Sequence, residues 1–310
     1  MRILVAAALL LASALPARAQ APITVVVNFV AGGPSDLMAR LLAPELSAAL
    51  GAPVVVKNSA GAAGTIGAAE AARAKPDGTT LLLSPLGAVA IQPHFRSDLP
   101  YKPADLAPVC QVADTPMVVM AAPGSGIRSL ADAVARARES QGAFNYGSAG
   151  PGSIPHIAGA ALARAAGADM THIPYRGNAE AVTALLRGEV GLYTDQPGTL
   201  LANDLRAVAV LAERRAPEFP DTPTAREQGY DLVFSVWSGL FAPAGTPRAF
   251  LDRAEAACAR ALRSPAVIEG FKKLATPILF RGQRDFGAFW RDELGKFRDT
   301  LRAAGIRASD

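Results

Sequence analysis

The feature that most narrows the fold is a repeated order: a short apolar run, a loop of small residues, then a helical pattern. Ile23 to Val27 is β-branched and interrupted only by Thr24, as a strand buried on both faces requires. The loop Ala31-Gly32-Gly33-Pro34-Ser35-Asp36 follows. Beyond it Leu37, Met38, Leu41, Leu42, Leu46 and Leu50 fall on one helical face. Gly51 suits the position just past that helix, and Pro44 is expected to kink it or shift its start. Val54 to Val56 predicts the next strand, Ser59 to Gly64 a Gly/Ala-rich loop and Ile66 to Ala74 a second helix. Lys75 to Gly78 is a turn, and Thr80 to Leu83 a third strand. Strand, loop and helix repeated in this way predict right-handed βαβ units and a mainly parallel sheet.

The rhythm returns further along. Strands are expected at Met117 to Ala121, Phe144 to Gly147, Met170 to Ile173, Val190 to Thr194 and Arg206 to Leu211. Helices are expected at Leu130 to Arg138 after Ser129, at Ile154 to Ala166 and at Ala179 to Leu186. The loop Ser148-Ala149-Gly150-Pro151-Gly152-Ser153 precedes the second of these. Two sets of βα units with separate Gly-rich loops predict an α/β protein of two lobes. From Thr246 onwards the pattern is helical, clearest at Ala254 to Leu262 and Phe286 to Leu301.

Met1-Arg2, the apolar run Ile3 to Leu15 and the small residues Ala17 and Ala19 have the layout of a secretory signal peptide, with cleavage expected after Ala19. The run is too short to span a bilayer core, and no cysteine follows it to carry a lipid anchor. The expected location is the periplasm. The whole chain holds 31 basic and 27 acidic side chains; removing Arg2 and Arg18 leaves 29 against 27, a net of +2. That near balance, without a basic stripe, gives nucleic-acid binding no electrostatic support. Cys110 and Cys258 stand 148 positions apart. An oxidising compartment permits a bridge, while buried free thiols fit the apolar surroundings equally well.

Three loops share one design in which a strand ends, small residues follow and a helix begins. The first turn of a helix leaves N–H groups unpaired and carries about half a positive charge. Small residues let an anion come close. Ala31 to Asp36, Ser59 to Thr65 and Ser148 to Ser153 are therefore candidate carboxylate or phosphate cradles, placed where α/β proteins bind ligands. Asp36 reads first as an acid that favours its own helix dipole. His156 caps a loop or meets ligand, and Asp195 orients N–H groups or accepts from ligand. Arg176, beside Tyr175 and Gly177, could pair with a carboxylate bidentately. Gly61, Gly64 and Gly67 lack dinucleotide-binding spacing, and no Walker lysine pattern occurs. His94, His156 and His172 show no zinc-ligand spacing, and Ser148 and Ser153 lack a nucleophile-elbow frame. No cofactor, metal or catalysis is expected.

Ordered along the chain, these motifs resemble the Bug-type, TctC-like substrate-binding proteins of tripartite tricarboxylate transporters. The resemblance runs from about Pro22 to the C-terminus. It rests on Phe29-Val30-Ala31-Gly32-Gly33 with Asp36, Lys57-Asn58-Ser59-Ala60-Gly61 with Gly64 to Gly67, and Pro76 to Leu82. It continues through Tyr146-Gly147-Ser148 with Gly150, Gly152, Ser153 and His156, then Ile173 to Gly177. It closes with Pro220 to Thr224, Trp237 to Leu240 and Ala242 to Pro247. The resemblance implies a type II periplasmic binding protein, a Venus flytrap with two interlobe crossings near Thr115–Ala121 and Val233–Phe241. Lobe one would hold residues 22–117 and 238–310, and lobe two residues 118–237. The implied ligand is a di- or tricarboxylate, an acidic amino acid or an aromatic acid. Lobe one would hold it through Phe29, Ala31, Gly33, Ser35, Gly61, Thr65 and Ile66, with Ser84 on the pocket wall. Lobe two would add Ser148, Gly152, Ser153, His156, Tyr175, Arg176, Gly177 and Asp195. The partners implied are membrane permease subunits, with the protein itself monomeric.

The sequence departs from the family pattern where Asn28 replaces a common Pro, Ala63 and Ser84 replace common Gly, and Arg176 replaces a common Lys. Two rival functions stand beside this one. The same clamp could serve as a ligand-loaded sensor for a membrane kinase. An exported α/β hydrolase or isomerase would have to work through His156 and Asp195.

Overall fold

The computed structural model describes residues 21–140 and 142–307; the expected signal peptide lies outside them. Strand β1 (Ile23–Val27) has four of its five side chains buried. It lies between β2 (Val54–Asn58) and β3 (Thr80–Pro85), parallel to both, as a double-sided apolar strand should. Between β1 and β2 runs helix α1 (Pro34–Leu50), with Pro34 in its first turn and Gly51 closing it at φ 72°. Met38, Leu42, Leu46 and Leu50 face the core. Two expectations for α1 differ from the structure. Leu37 stays exposed, beside the loop that precedes the helix, and the helix runs through Pro44, whose ring sits on the solvent side. Helix α2 (Thr65–Ala72) makes the second βα unit.

Beyond β3 a π-helical turn (Gly87–Ile91) and the short α3 (Gln92–Phe95) lead towards β4. Sequence patterning marked only Met117–Ala121, but β4 extends over Leu106–Ala121. Its first half pairs antiparallel with β9 (Ser235–Pro243) and β10 (Ile278–Gly282). Its second half pairs with β7 (Tyr193–Asp195) and β8 (Arg206–Leu211). The change of partners falls between Pro116 and Met117, where the Met117 N–H donates to the Phe234 carbonyl. Strand β9 continues the first sheet, giving the order β10-β4-β9-β3-β1-β2. The second group is completed by the parallel pair β5 (Asn145–Ser148) and β6 (Thr171–Pro174), tied to β7 by a bridge between Tyr146 and Leu192.

The helices of this second group are α4 (Leu130–Glu139, capped by Ser129), α5 (Ile154–Ala166), α6 (Asn178–Leu186) and α7 (Pro197–Ala202). The C-terminal region adds α8 (Arg248–Ala261), α9 (Pro265–Lys273) and α10 (Gln283–Ala303). Cys110 on β4 and Cys258 on α8 form a disulfide, which resolves the choice the sequence left open. The architecture is that of a two-lobed type II periplasmic binding protein. Among the described residues no helix is long and apolar enough to cross a membrane.

Candidate functional site

The first cradle forms where β1 and β3 end. Asp36, almost fully buried, props the loop from below. Its Oδ2 accepts from the Gly32 N–H at 2.8 Å and from Arg40 Nε at 2.9 Å. Its Oδ1 accepts from Asn58 Nδ2 at 3.0 Å, and the same amide donates to the Phe29 carbonyl. The Arg40 hydrogen bond, opposed by burial and helped by Gly32 and Asn58, holds the Asp36 carboxyl at a pKa of about 2. Asp36 thus fixes the path of Phe29 to Gly33, beyond favouring the helix dipole. Pro34 contributes no N–H, so Ser35 and Asp36 supply the first-turn donors of α1. Ser35 is buried, whereas Ala31 is exposed.

The second loop has four consecutive residues with positive φ: Gly61 (130°), Ala62 (47°), Ala63 (55°) and Gly64 (87°). Two of them are alanines in a conformation that costs an L-residue about 1–2 kcal/mol, and strain of this kind gathers at functional loops. The twist turns the N-terminus of α2, with Thr65 and Ile66, towards the same edge. Gly67 is required for close approach, since a Cβ there would lie 2.7 Å from both Asn28 Cβ and the Ser59 carbonyl. Replacing Ala63 by Gly should raise unfolding stability by about 0.5–1 kcal/mol, read from the urea midpoint. A loss of stability would show that the loop is not held in this conformation.

Ser84, expected on the pocket wall, is fully buried and works through a neighbour. Its Oγ accepts from Asn28 Nδ2 at 2.9 Å and donates to the Pro85 carbonyl. Asn28 Nδ2 also reaches the Gly64 carbonyl, tying the two loops together, while Asn28 Oδ1 finds no donor among the described residues. Around these loops Val30, Leu37 and Ile66 leave apolar side chains exposed, at 65%, 38% and 53%. The edge therefore combines backbone N–H groups with an apolar wall, the usual make-up of a small-molecule site. Leu37 leaves the core face because it belongs to this wall.

The second cradle surrounds the end of β5. Ser148 Oγ lies 2.6 Å from His172 Nε2 and accepts the Gly150 N–H. His156 Nδ1 accepts the Gly152 N–H at 3.1 Å, and the His156 N–H is capped by Ser153 Oγ. The rings of His156 and His172 stack with centroids 3.6 Å apart. Burial, then the neighbouring His172, pushes the His156 pKa down to about 4, and burial lowers His172 too. Both are neutral at pH 7. Sequence spacing does not bring His172 to this loop, because it lies on a different strand; the register of β5 with β6 sets it opposite Tyr146.

Tyr175 packs its ring over Gly147, and its N–H donates to the Ser148 carbonyl. Arg176 is exposed, with its N–H bonded to Glu180, and Gly177 precedes α6 in extended backbone. Asp195, almost fully buried, accepts from Asn178 Nδ2 (2.7 Å), Thr199 Oγ1 (2.7 Å), the Gln196 N–H (2.9 Å) and Tyr193 OH (3.2 Å). Burial raises its pKa, and the hydrogen bonds from Thr199, Gln196 and Tyr193 oppose that. Asn178 and Thr199, neither singled out from the sequence, make Asp195 the anchor of the Arg176–Asn178 corner. Asp195→Ala should cost about 1–3 kcal/mol in chemical denaturation, because it strands the buried Tyr193 hydroxyl and leaves three less buried donors to water. A cost below about 0.5 kcal/mol would mean that water replaces the carboxylate freely.

The two cradles approach each other through Phe95. A Cβ on Gly152, at φ 71°, would lie 2.8 Å from the Phe95 ring, so glycine is needed there twice over. The Ser148–His172 contact has the form of a nucleophile and base. However, Ser148 is fully buried, its Oγ is occupied by Gly150, and Asp195 is bound to other partners. Fixed N–H groups beside an apolar wall suit reversible capture of an anion. The class that fold and site define is a two-lobed solute-binding protein.

Comparison with known proteins agrees. Residues 38–306 match the family described as tripartite tricarboxylate transporter family receptor, and the chain belongs to that family. It is of the Bug type. The structure of the periplasmic binding protein BugD is similar at 31% identity and a TM-score of 0.74, over 92% of this chain and 98% of that one. MatC from Rhodopseudomonas palustris with bound malate is 31% identical with a TM-score of 0.74, over 90% and 98%. An R. palustris protein with adipate is 28% identical with a TM-score of 0.78, over 92% and 98%. Members of this family are substrate receptors, and its relatives of known structure include periplasmic binding proteins and carboxylate complexes.

Proposed function

We propose that this protein is exported to the periplasm, captures a small carboxylate between its two lobes and delivers it to the permease subunits of a tripartite tricarboxylate transporter. The observation that carries the reading is the pair of lobe-one loops that turn helix N-termini to the carboxyl ends of parallel strands, beside an apolar wall. The malate and adipate held by relatives point to a dicarboxylate among the candidates. On this reading lobe one is residues 22–117 and 238–310, lobe two is 118–237, and β4 and β9 carry the crossings. One carboxylate sits on backbone N–H groups and waters at the loops around Phe29–Ser35 and Gly61–Ile66. The Ser148–Ser153 loop and the Tyr175–Gly177 corner close over the other end. Ligand contact with both lobes favours the closed form over the open one.

Delivery is tested by deleting the gene and following uptake of labelled dicarboxylates by whole cells. Uptake of the bound ligand should be lost and restored by the intact gene. Unchanged uptake would refute the transport role, and a lost transcriptional response with normal uptake would favour the sensor.

A further inference from the structure

A cavity of 780 Å³ lies between α3 and the C-terminal end of α10. Its lining includes Arg96, Arg298, Arg302 and Arg307 against one carboxylate, Asp98, with His94 and Phe95 on the α3 side and Leu301 and Ile306 as an apolar floor. Positive charge dominates it. Arg96 pairs with Asp98 at 2.7 Å, and Arg298 with Asp299 at 2.9 Å. Both pairs are solvent-exposed, and exposed ion pairs hold weakly, so a better acceptor can displace them. Arg302 and Arg307 form no ion pair among the described residues, although Asp299 lies near enough to Arg302 to feel its charge. Burial, then the charge of Arg298, depresses the pKa of His94, which fits a positive potential in the cavity.

The volume falls within the range of small-molecule sites. Guanidinium forks match the paired oxygens of phosphate or carboxylate groups. None of the residues expected to hold the transported ligand lines this cavity. We propose that it is a second binding site, built for a compact polyvalent oxyanion and separate from the interlobe site.

The test uses inorganic pyrophosphate, which carries no carboxylate, titrated calorimetrically into the mature protein at constant ionic strength. The wild type should bind at one site. The double variant Arg302→Ala/Arg307→Ala should bind about tenfold or more weakly, since each residue can give a charge-assisted hydrogen bond. Both side chains are exposed, and an unchanged circular dichroism spectrum and melting curve would verify folding. The charge-preserving variant Arg302→Lys/Arg307→Lys should keep part of the affinity. No wild-type binding, or equal binding by the double alanine variant, would overturn the proposal. Titrating the same variants with malate and adipate separates the two sites, because the tightest carboxylate binding should persist in the double alanine variant that has lost pyrophosphate binding.

Discussion

Replacing Cys110 and Cys258 together by alanine should lower the unfolding free energy by about 3–5 kcal/mol. Both residues are fully buried, and their bridge ties β4 to α8 across 148 positions of sequence. Loop-closure entropy for a ring of that length is worth about 5 kcal/mol at 25 °C, while losing a native disulfide typically costs about 2–5. The bridge also joins the strand that runs through both sheets to the helix that packs on α1. Guanidinium denaturation of the oxidised wild type and the double variant measures the effect. A difference below about 1 kcal/mol would mean that the bridge is not formed, or that the unfolded chain is already compact without it.

Asp36→Ala should have the second large effect, on binding as well as stability. Its carboxylate holds the Gly32 N–H, Asn58 and Arg40, so removing it frees the first loop and leaves Asn58 without one acceptor. Carboxylate affinity should fall about tenfold or more, with a stability loss of about 2–3 kcal/mol. The pH dependence follows from the depressed pKa. The carboxyl titrates at about 2 in the folded protein, against a reference of 3.8. Its contribution is complete well above pH 4 and is lost as pH falls towards 2. Arg40 is half exposed and its charge is screened, so the contribution is about 1–2 kcal/mol. Urea midpoints of wild type and Asp36→Asn should converge as the pH is lowered from 5 to 2. Parallel curves would remove Asp36 from the pH response.

The βα units were legible because strong local signals agreed. Ile23 to Val27 had no polar break beyond Thr24, and Ile154 to Ala166 and Arg206 to Leu211 appear in the structure with the expected bounds. The first half of β4 was not legible. Leu106 to Pro116 carries two prolines and mixed polarity, and it becomes a strand only because β9 and β10 arrive from more than a hundred residues away. Strand β9 lies in the segment expected as a crossing and α9 in the tail expected to be helical, but β10 interrupts that tail as a strand. Their pairing is tertiary.

At the site, the Gly-rich loops were visible as loops, but their supports were not. Asn58, Asn178 and His172 act through partners 17–24 positions away in sequence, and Thr199 through a turn whose geometry the sequence does not print. Asp36 was visible as a first-turn acid, yet its hold on Gly32 and Asn58 needed the fold. Ser84, expected on the pocket wall, is fully buried. The disulfide could not be chosen from two cysteines alone, because only the packing of α8 on β4 brings them together.

Fixed N–H groups at the ends of parallel strands suit this protein to hold small carboxylates. The most direct measurement is the melting temperature of the mature protein against a panel of mono-, di- and tricarboxylates, each paired with its uncharged amide. At 100 times its Kd the cognate ligand should add about 2.7 kcal/mol of apparent stability. That raises the melting temperature by several degrees, while its amide leaves it unchanged. If no carboxylate moves the curve, or the amide moves it equally, the anion site described here is contradicted.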